Sequence, residues 1–182
     1  MSEEVFIRYC APTLAGLKTG SMFSFPYPDR DSMRGDLRRL NAALAARGLV
    51  VLPLRYREGR ALLYVFRPGV LKRDLTRQDA RAILREAGYG SDSLSASLRR
   101  LIERLGQEEF PHEIGLFLSY PPEDVRGFIE NRAQNSKLTG YWKVYGDVKA
   151  ARATFEKYRK CTEAYQRSLR AGFSLRELAV SV

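Results

Sequence analysis

The most informative pattern of apolar and polar positions lies at residues 110–132, where a short apolar run is followed by two prolines and a helical repeat. Residues 114–118 have the length of a buried strand and are too few for a full helix. Pro122 suits the first position of a helix, which needs no N–H, and the acidic residues after it favour the helix dipole. This pattern predicts a central strand, a tight turn and a helix packed back on the sheet.

Upstream of this stretch, the pattern predicts a strand followed by a helix. Residues 21–25 alternate polar and apolar side chains, as a half-buried strand does. Asp29 or Asp31 can cap a helix that runs to about Arg47, and Gly48 is a suitable stop. Residues 3–9 fit a helix or a strand equally well.

A hairpin is predicted next, because β-rich runs at residues 49–57 and 60–67 flank the pair Glu58 and Gly59. Pro53 cannot donate a ladder hydrogen bond, so the first arm is predicted to be an edge strand or to carry a bulge. Helices are predicted at residues 76–87, 91–105 and 147–170, and a strand is predicted at residues 140–145.

Strands and helices interleaved in this way indicate an α/β (α+β) fold with a mixed sheet of about five strands, including the hairpin, and helices packed on it. A chain of 182 residues with 45% hydrophobic and 29% charged residues is most simply one globular domain, residues 1–182. No apolar run approaches the ~20 residues that span a bilayer, and the acidic N-terminus does not resemble a signal peptide.

The two cysteines, Cys10 and Cys161, form no CxxC pair and indicate a reducing cytoplasm rather than secretion. The chain contains no GxxxxGK[ST], GxGxxG or HExxH motif, and its only histidine is His112. We therefore predict no metal and no cofactor.

The chain carries a net charge of +10 and a pI near 9.9, which favours an anionic partner such as nucleic acid. The hairpin arginines Arg55, Arg57, Arg60 and Arg67 are the best candidates, since a basic hairpin with aromatic residues can follow phosphates and stack bases. The alternative is that these arginines are solvated and protect an edge strand from aggregation.

A thiol site is the leading functional hypothesis, and the basic hairpin is the alternative to it. Cys10 is predicted just before a helix that Pro12 opens, where the helix dipole lowers the pKa of a thiol. A cysteine nucleophile needs an imidazole base within hydrogen-bond reach, and His112 is the only candidate. The alternatives are a buried structural cysteine and a histidine that bonds locally.

The pair also has a resemblance to known enzymes. Cys10 before a helix, and a histidine that opens an apolar strand, His112-Glu-Ile-Gly-Leu-Phe-Leu, resemble the papain-like cysteine hydrolases, especially their cell-wall amidase branch. The resemblance implies that Cys10 is the nucleophile and His112 the base of a hydrolase or acyltransferase. It supplies no third polar member.

A second resemblance covers nearly the whole chain. The segments CAPTLAGLK, LPLRYREGRALLYVFRP, FPHEIGLFLSYPPEDVRGFIENR, GYWKVYGD and KYRKCTEAY are similar to an uncharacterised bacterial domain family of about this length. The resemblance implies an intact domain without an assigned activity. A thiol site, a module that binds an anionic partner, and a protein-interaction domain without a catalytic site therefore stay open as functions.

Overall fold

The computed structural model describes residues 1–91 and 93–182, which divide into two compact units. The first unit comprises Met1–Gly69 and Tyr158–Val182, and the second comprises Val70–Lys157. The helix predicted at residues 91–105 begins after Ser93, whose side chain makes no capping hydrogen bond, and Asp92 lies outside the described residues.

The first unit contains three helices and three strands that lie wholly within it among the described residues, together with the end of a long helix shared with the second unit. These elements are α1 (Glu3–Leu14), β1 (Gly20–Pro26), α2 (Arg30–Leu44), β2 (Val50–Arg57), β3 (Arg60–Phe66), the last part of α8 (Val148–Arg170) and α9 (Leu175–Leu178). One face of the sheet packs on α1 and α2 around a core that includes Phe6, Leu37, Leu44 and Leu63.

The sheet of the first unit is antiparallel, with the strand order β1-β3-β2. Glu58 and Gly59 have φ angles of 52° and 69°, the left-handed conformations that a tight hairpin turn needs, so the predicted hairpin is confirmed. β2 is an edge strand whose register shifts between Pro53 and Arg55, as predicted from the missing donor of Pro53.

The helix α2 confirms the predicted cap. The side chain of Asp29 accepts a hydrogen bond of 2.7 Å from the N–H of Ser32, which satisfies one of the unpaired amides of the first turn. A 3-10 turn, Ala45–Arg47, continues the helix, and Gly48 ends it with a φ of 69°.

The predicted position of Cys10 before a helix is wrong, because α1 begins seven residues earlier. Ser2 caps this helix by accepting from the N–H of Val5, and two glutamates occupy the first turn. Pro12 lies inside the helix near its end, where its ring removes only one helical hydrogen bond. Cys10 therefore sits in the buried second half of α1.

The second unit is mainly helical, with one small two-stranded ladder. Its elements are α3 (Pro68–Leu75) except its first two residues, α4 (Gln78–Glu86), α5 (Leu94–Leu105), α6 (Ile114–Phe117), α7 (Pro122–Glu130), β4 (Leu138–Thr139), β5 (Lys143–Val144) and the first part of α8. Pro122 opens α7 as predicted, and Glu123 and Asp124 lie in its first turn.

The strand predicted at residues 114–118 is wrong: these residues form the helical turn α6. The N–H groups of Ile114 and Gly115 donate to the carbonyls of Pro111 and His112. The backbone is therefore already in a helical turn where the apolar run begins. All of α6 is buried, which explains the uniformly apolar sequence, and a short buried run does not distinguish strand from helix by periodicity.

The strand predicted at residues 140–145 is reduced to β5, which pairs with β4. The α/β class with about five strands is confirmed for the described chain, but the strands form a three-stranded and a two-stranded antiparallel sheet rather than one mixed sheet. Within the described part of the chain, no helix is both long and apolar enough to cross a membrane.

Candidate ligand cavity

A cavity of about 340 Å³ lies in the second unit, where α6, α7 and the β4–β5 ladder meet. Most of its wall is apolar, and five of its lining side chains carry rings: Phe110, His112, Tyr120, Phe128 and Trp142. Ligand sites in proteins are typically concave, lined by apolar and aromatic side chains, and about 300–1,000 Å³ in volume. The cavity has the character of such a site, at the small end of the range.

Part of the cavity lining is formed where α6 and α7 approach each other closely. A Cβ atom on Gly115 would lie 2.8 Å from the side chain of Val125 and 3.0 Å from the ring of Tyr120, so only glycine fits there. Ser119, with a φ of 64°, turns the chain between the helices, and the N–H of Tyr120 bonds back to the carbonyl of Gly115. This turn directs Tyr120 into the cavity wall.

The buried carboxylate of Asp124 fixes one wall by joining α7 to the ladder. One of its oxygens accepts a hydrogen bond of 2.7 Å from the indole Nε1 of Trp142. Its other oxygen accepts from the backbone N–H groups of Tyr145 and Gly146, at 2.7 and 2.8 Å. Three donors thus stabilise the charge, and the tryptophan ring is held in one orientation.

The ring of Trp142 is also packed on two sides by other aromatic residues. Tyr120 stacks on it with a centroid distance of 5.1 Å, and Phe155 meets it edge-on at 4.5 Å. The hydroxyl of Tyr120 donates to the carbonyl of Tyr141, and burial raises the pKa of Tyr120. This wall is therefore rigid before any ligand arrives.

A second group of rings in the lining contains His112, the only histidine of the chain. Its ring lies 5.1 Å from that of Phe128 and 5.9 Å from that of Phe110, measured between centroids. His112 is exposed, and Phe110 is 53% exposed at the rim. The cavity thus opens to solvent beside an imidazole.

Lys143 supplies the ammonium group of the cavity lining. Its Nζ donates to the backbone carbonyl of Ala133 at 2.6 Å, and the side chain is half-buried. Among the described residues, no carboxylate lies within ion-pair distance of it. A positive charge with only a neutral acceptor therefore stands at the edge of an apolar cavity.

The structure places Cys10 and His112 in different units, so their pairing stays a prediction. The side chain of Cys10 is fully buried among the core residues of the first unit. Burial raises the pKa of its thiol, which opposes the thiolate that an activated nucleophile needs. The position and environment of Cys10 are those of a structural cysteine.

The hairpin arginines occupy different environments. Arg67 is 2% exposed, and its guanidinium donates to the backbone carbonyls of Thr13, Leu14, Arg47 and Val180, so it is a structural residue. Arg55, Arg57 and Arg60 are exposed. Arg57 pairs with Glu58, and Arg60 donates to Ser24.

Sequence patterns identified only His112 among the residues of the cavity wall. Trp142 falls in the strand predicted at residues 140–145, and Asp124 is one of the acidic residues expected to favour the dipole of its helix. The fixed contact between them joins positions 18 residues apart, and no local spacing signals it. Among the described residues, no group of histidine, cysteine and acidic side chains is arranged to hold a metal.

Comparison with known proteins gives a family but no activity. No curated protein and no solved structure has significant similarity to the chain. Residues 6–179 match the family described as "Protein of unknown function (DUF3793)", which agrees with the resemblance seen in the sequence. The chain therefore belongs to the DUF3793 family.

Proposed function

We propose that the second unit binds a small planar ligand in the cavity between α6, α7 and the β4–β5 ladder. The observation that carries this proposal is a cavity of about 340 Å³ with an aromatic wall that is already fixed. A cavity wall made only by packing would not need a buried carboxylate to orient its tryptophan. Preorganised walls bind ligands well because little side-chain entropy is lost on binding.

The shape of the walls favours a flat ligand. Tyr120 and Trp142 form one aromatic wall, while Phe110, His112 and Phe128 form another. Rings that pack in offset or edge-to-face geometry gain about 0.5–1.5 kcal/mol beyond area burial. A ligand with one aromatic ring would gain such contacts in this cavity.

Trp142 is the only tryptophan of the chain, so its indole N–H provides one readable signal for binding in this wall. We expect cinnamamide, a neutral planar amide, to shift the indole ¹H–¹⁵N resonance of Trp142 along a saturable curve. At about 0.4 kcal/mol per non-hydrogen atom, a ligand of roughly 11 such atoms binds with a Kd of about 1 mM or tighter.

A matched pair of variants separates binding at the cavity from nonspecific binding to exposed aromatic side chains. Phe110 and Phe173 are 53% and 51% exposed, but only Phe110 lines the cavity. Truncation of Phe110 to Ala removes about 40–60 Å² of apolar contact, which predicts a five- to tenfold weaker Kd. Phe173→Ala should leave the Kd unchanged. Absence of a saturable shift, or equal effects of both variants, would refute the proposal.

A second function is supported by the charge of the first unit. It carries 16 basic and 8 acidic residues, against 15 and 13 in the second unit, so most of the net charge of +10 resides there. Arg30 lies over the ring of Tyr56 at 5.2 Å, and the strand neighbours of Tyr56, Arg55 and Arg57, are exposed. An exposed run of basic side chains suits the phosphates of a nucleic-acid strand.

Heparin chromatography tests this second function. We expect retention that salt weakens and that is lost in the double variant with Arg55 and Arg57 changed to Glu. The matched control changes the exposed Arg85 and Arg99 of the second unit to Glu, which alters the net charge equally. Equal loss in both double variants would mean that only total charge matters, and no retention at low salt would remove the function.

We also propose a cytoplasmic location. Cys10 and Cys161 both lie in the described part of the chain and form no disulfide there, as is usual in a reducing compartment. A fluorescent fusion of the full chain would show this location by uniform signal in the cytoplasm, and signal at the cell envelope would oppose it.

A further inference from the structure

The charge around the cavity narrows the class of ligand, an inference that rests on the proposed function. The ring walls recognise an apolar body but leave the ammonium of Lys143 unused by any described carboxylate. An ammonium group has three donors, and the carbonyl of Ala133 accepts only one of them. The remaining donors are available for a ligand group that accepts hydrogen bonds.

The one carboxylate in the lining does not balance this charge. Both oxygens of Asp124 already accept hydrogen bonds, from the indole of Trp142 and from two backbone N–H groups of the segment after β5. These three donors stabilise the negative charge at its own site, where it serves to orient the tryptophan. Asp124 is thus committed to the wall, whereas Lys143 is not.

The loop that holds Lys143 has an unusual backbone. Arg132, Ala133 and Asn135 have φ angles of 49°, 63° and 58°, the left-handed region that non-glycine residues seldom adopt. The hydrogen bond from the Lys143 ammonium to the carbonyl of Ala133 fastens this loop to the ladder. This hydrogen bond holds the ammonium of a cavity-lining residue against the loop rather than free in solvent.

We infer that the cavity is a site for planar aromatic carboxylates, with the ring between the aromatic walls and the carboxylate at the ammonium of Lys143. A single ammonium matches a single negative charge. The mostly apolar lining favours a monoanion over a phosphate dianion, which costs more to remove from water. A charge-assisted hydrogen bond to a half-buried lysine is also about twice as strong as a neutral one, which favours a carboxylate over an amide.

Cinnamate and cinnamamide test this inference, because they differ only in carboxylate and amide. We expect wild type to bind cinnamate at least about fivefold more tightly than cinnamamide, measured by the shift of the Trp142 indole resonance. In Lys143→Met, this preference should disappear while the Kd for cinnamamide stays within about twofold. Lys143→Arg should restore most of the preference.

Lys137 provides the matched control. It precedes β4, is exposed, and its ammonium also donates to a backbone carbonyl, that of Gly146, but it does not line the cavity. Lys137→Met should keep the full preference for cinnamate.

The outcomes separate this inference from the proposed function. Equal binding of the two compounds by wild type, or a preference that survives in Lys143→Met, would overturn the carboxylate class and leave the cavity as a binding site. Loss of preference in Lys137→Met as well would show a general charge effect and also overturn it. Failure of both compounds to bind would refute the cavity itself.

Discussion

The contact between Asp124 and Trp142 gives the sharpest prediction about the wall of the cavity. In Asp124→Asn, the amide oxygen can still accept from Tyr145 and Gly146, but the amide NH₂ then faces the indole N–H. The hydrogen bonds from the N–H groups of Tyr145 and Gly146 then go to a neutral oxygen instead of a charged one, and the buried indole N–H loses its acceptor. With about 1.5–3 kcal/mol for a bond to a charged group and about 1 kcal/mol for a neutral one, the expected loss of stability is about 3–5 kcal/mol.

A double-mutant cycle isolates the contact with the indole. Trp142→Phe removes the N–H that the asparagine would oppose, so the double variant should be about 1.5–3 kcal/mol more stable than the sum of the single effects predicts. Urea unfolding followed by far-UV circular dichroism measures all four proteins without relying on the tryptophan.

The control for this cycle is Asp147→Asn. Asp147 is exposed, and its side chain accepts from the N–H groups of Lys149 and Ala150 at the start of α8, so its replacement should cost about 1 kcal/mol or less. Additive effects of the Asp124 and Trp142 changes, within about 0.5 kcal/mol, would refute the view that the carboxylate holds the ring.

Three further predictions concern stability. Arg67→Met leaves four carbonyls without their donor, so the free energy of unfolding in urea should fall by about 3–5 kcal/mol. In Arg60→Met, where the arginine is exposed, it should fall by about 0.5 kcal/mol or less. Similar losses in both variants would contradict the structural role of Arg67. Gly127→Ala places a Cβ 2.5 Å from the Cβ of Tyr145, so the free energy of unfolding should fall by about 1–3 kcal/mol. Gly35→Ala lies in open space on α2 and should raise the free energy of unfolding by about 0.5–1 kcal/mol. Burial lowers the pKa of Lys18 from 10.5 to about 8. Between pH 8 and 10.5 the unfolded chain therefore binds more protons than the folded chain, so the stability of the wild type rises with pH in this range. The stability advantage of Lys18→Met should therefore shrink between pH 7 and 10 in urea titrations, and a constant difference would contradict the shift.

The first unit was largely predictable because its signals are local. Asp29 and Gly48 mark the ends of α2 and its 3-10 extension, and Pro53 marks the irregular edge strand. Each of these residues acts through its own backbone or through an amide three residues away. Sequence spacing is sufficient to recognise such interactions.

The local structure of the second unit is harder to predict from the sequence, because tertiary contacts decide it. The run at residues 114–118 is apolar on every side, so its pattern fits a buried strand and a buried helical turn equally. The close contact of Gly115 with Val125 and Tyr120 selects the turn, and nothing in the adjacent sequence announces this contact.

The candidate site was predicted only in part for the same reason. His112 attracted attention as the single histidine, and it does line the cavity. The prediction for Cys10 is wrong because proline suits the first turn of a helix, whereas Pro12 lies in the last turn of a helix that Ser2 already caps. The roles of Trp142 and Lys143 depend on a ladder of only two residues per strand.

A crystal structure of the protein soaked with cinnamate tests the central claim most directly. The account predicts electron density for the ring between Trp142 and Phe128, with the carboxylate within hydrogen-bond distance of the Lys143 ammonium. Density for cinnamate elsewhere on the molecule, with none in the cavity at a saturating concentration, would contradict it.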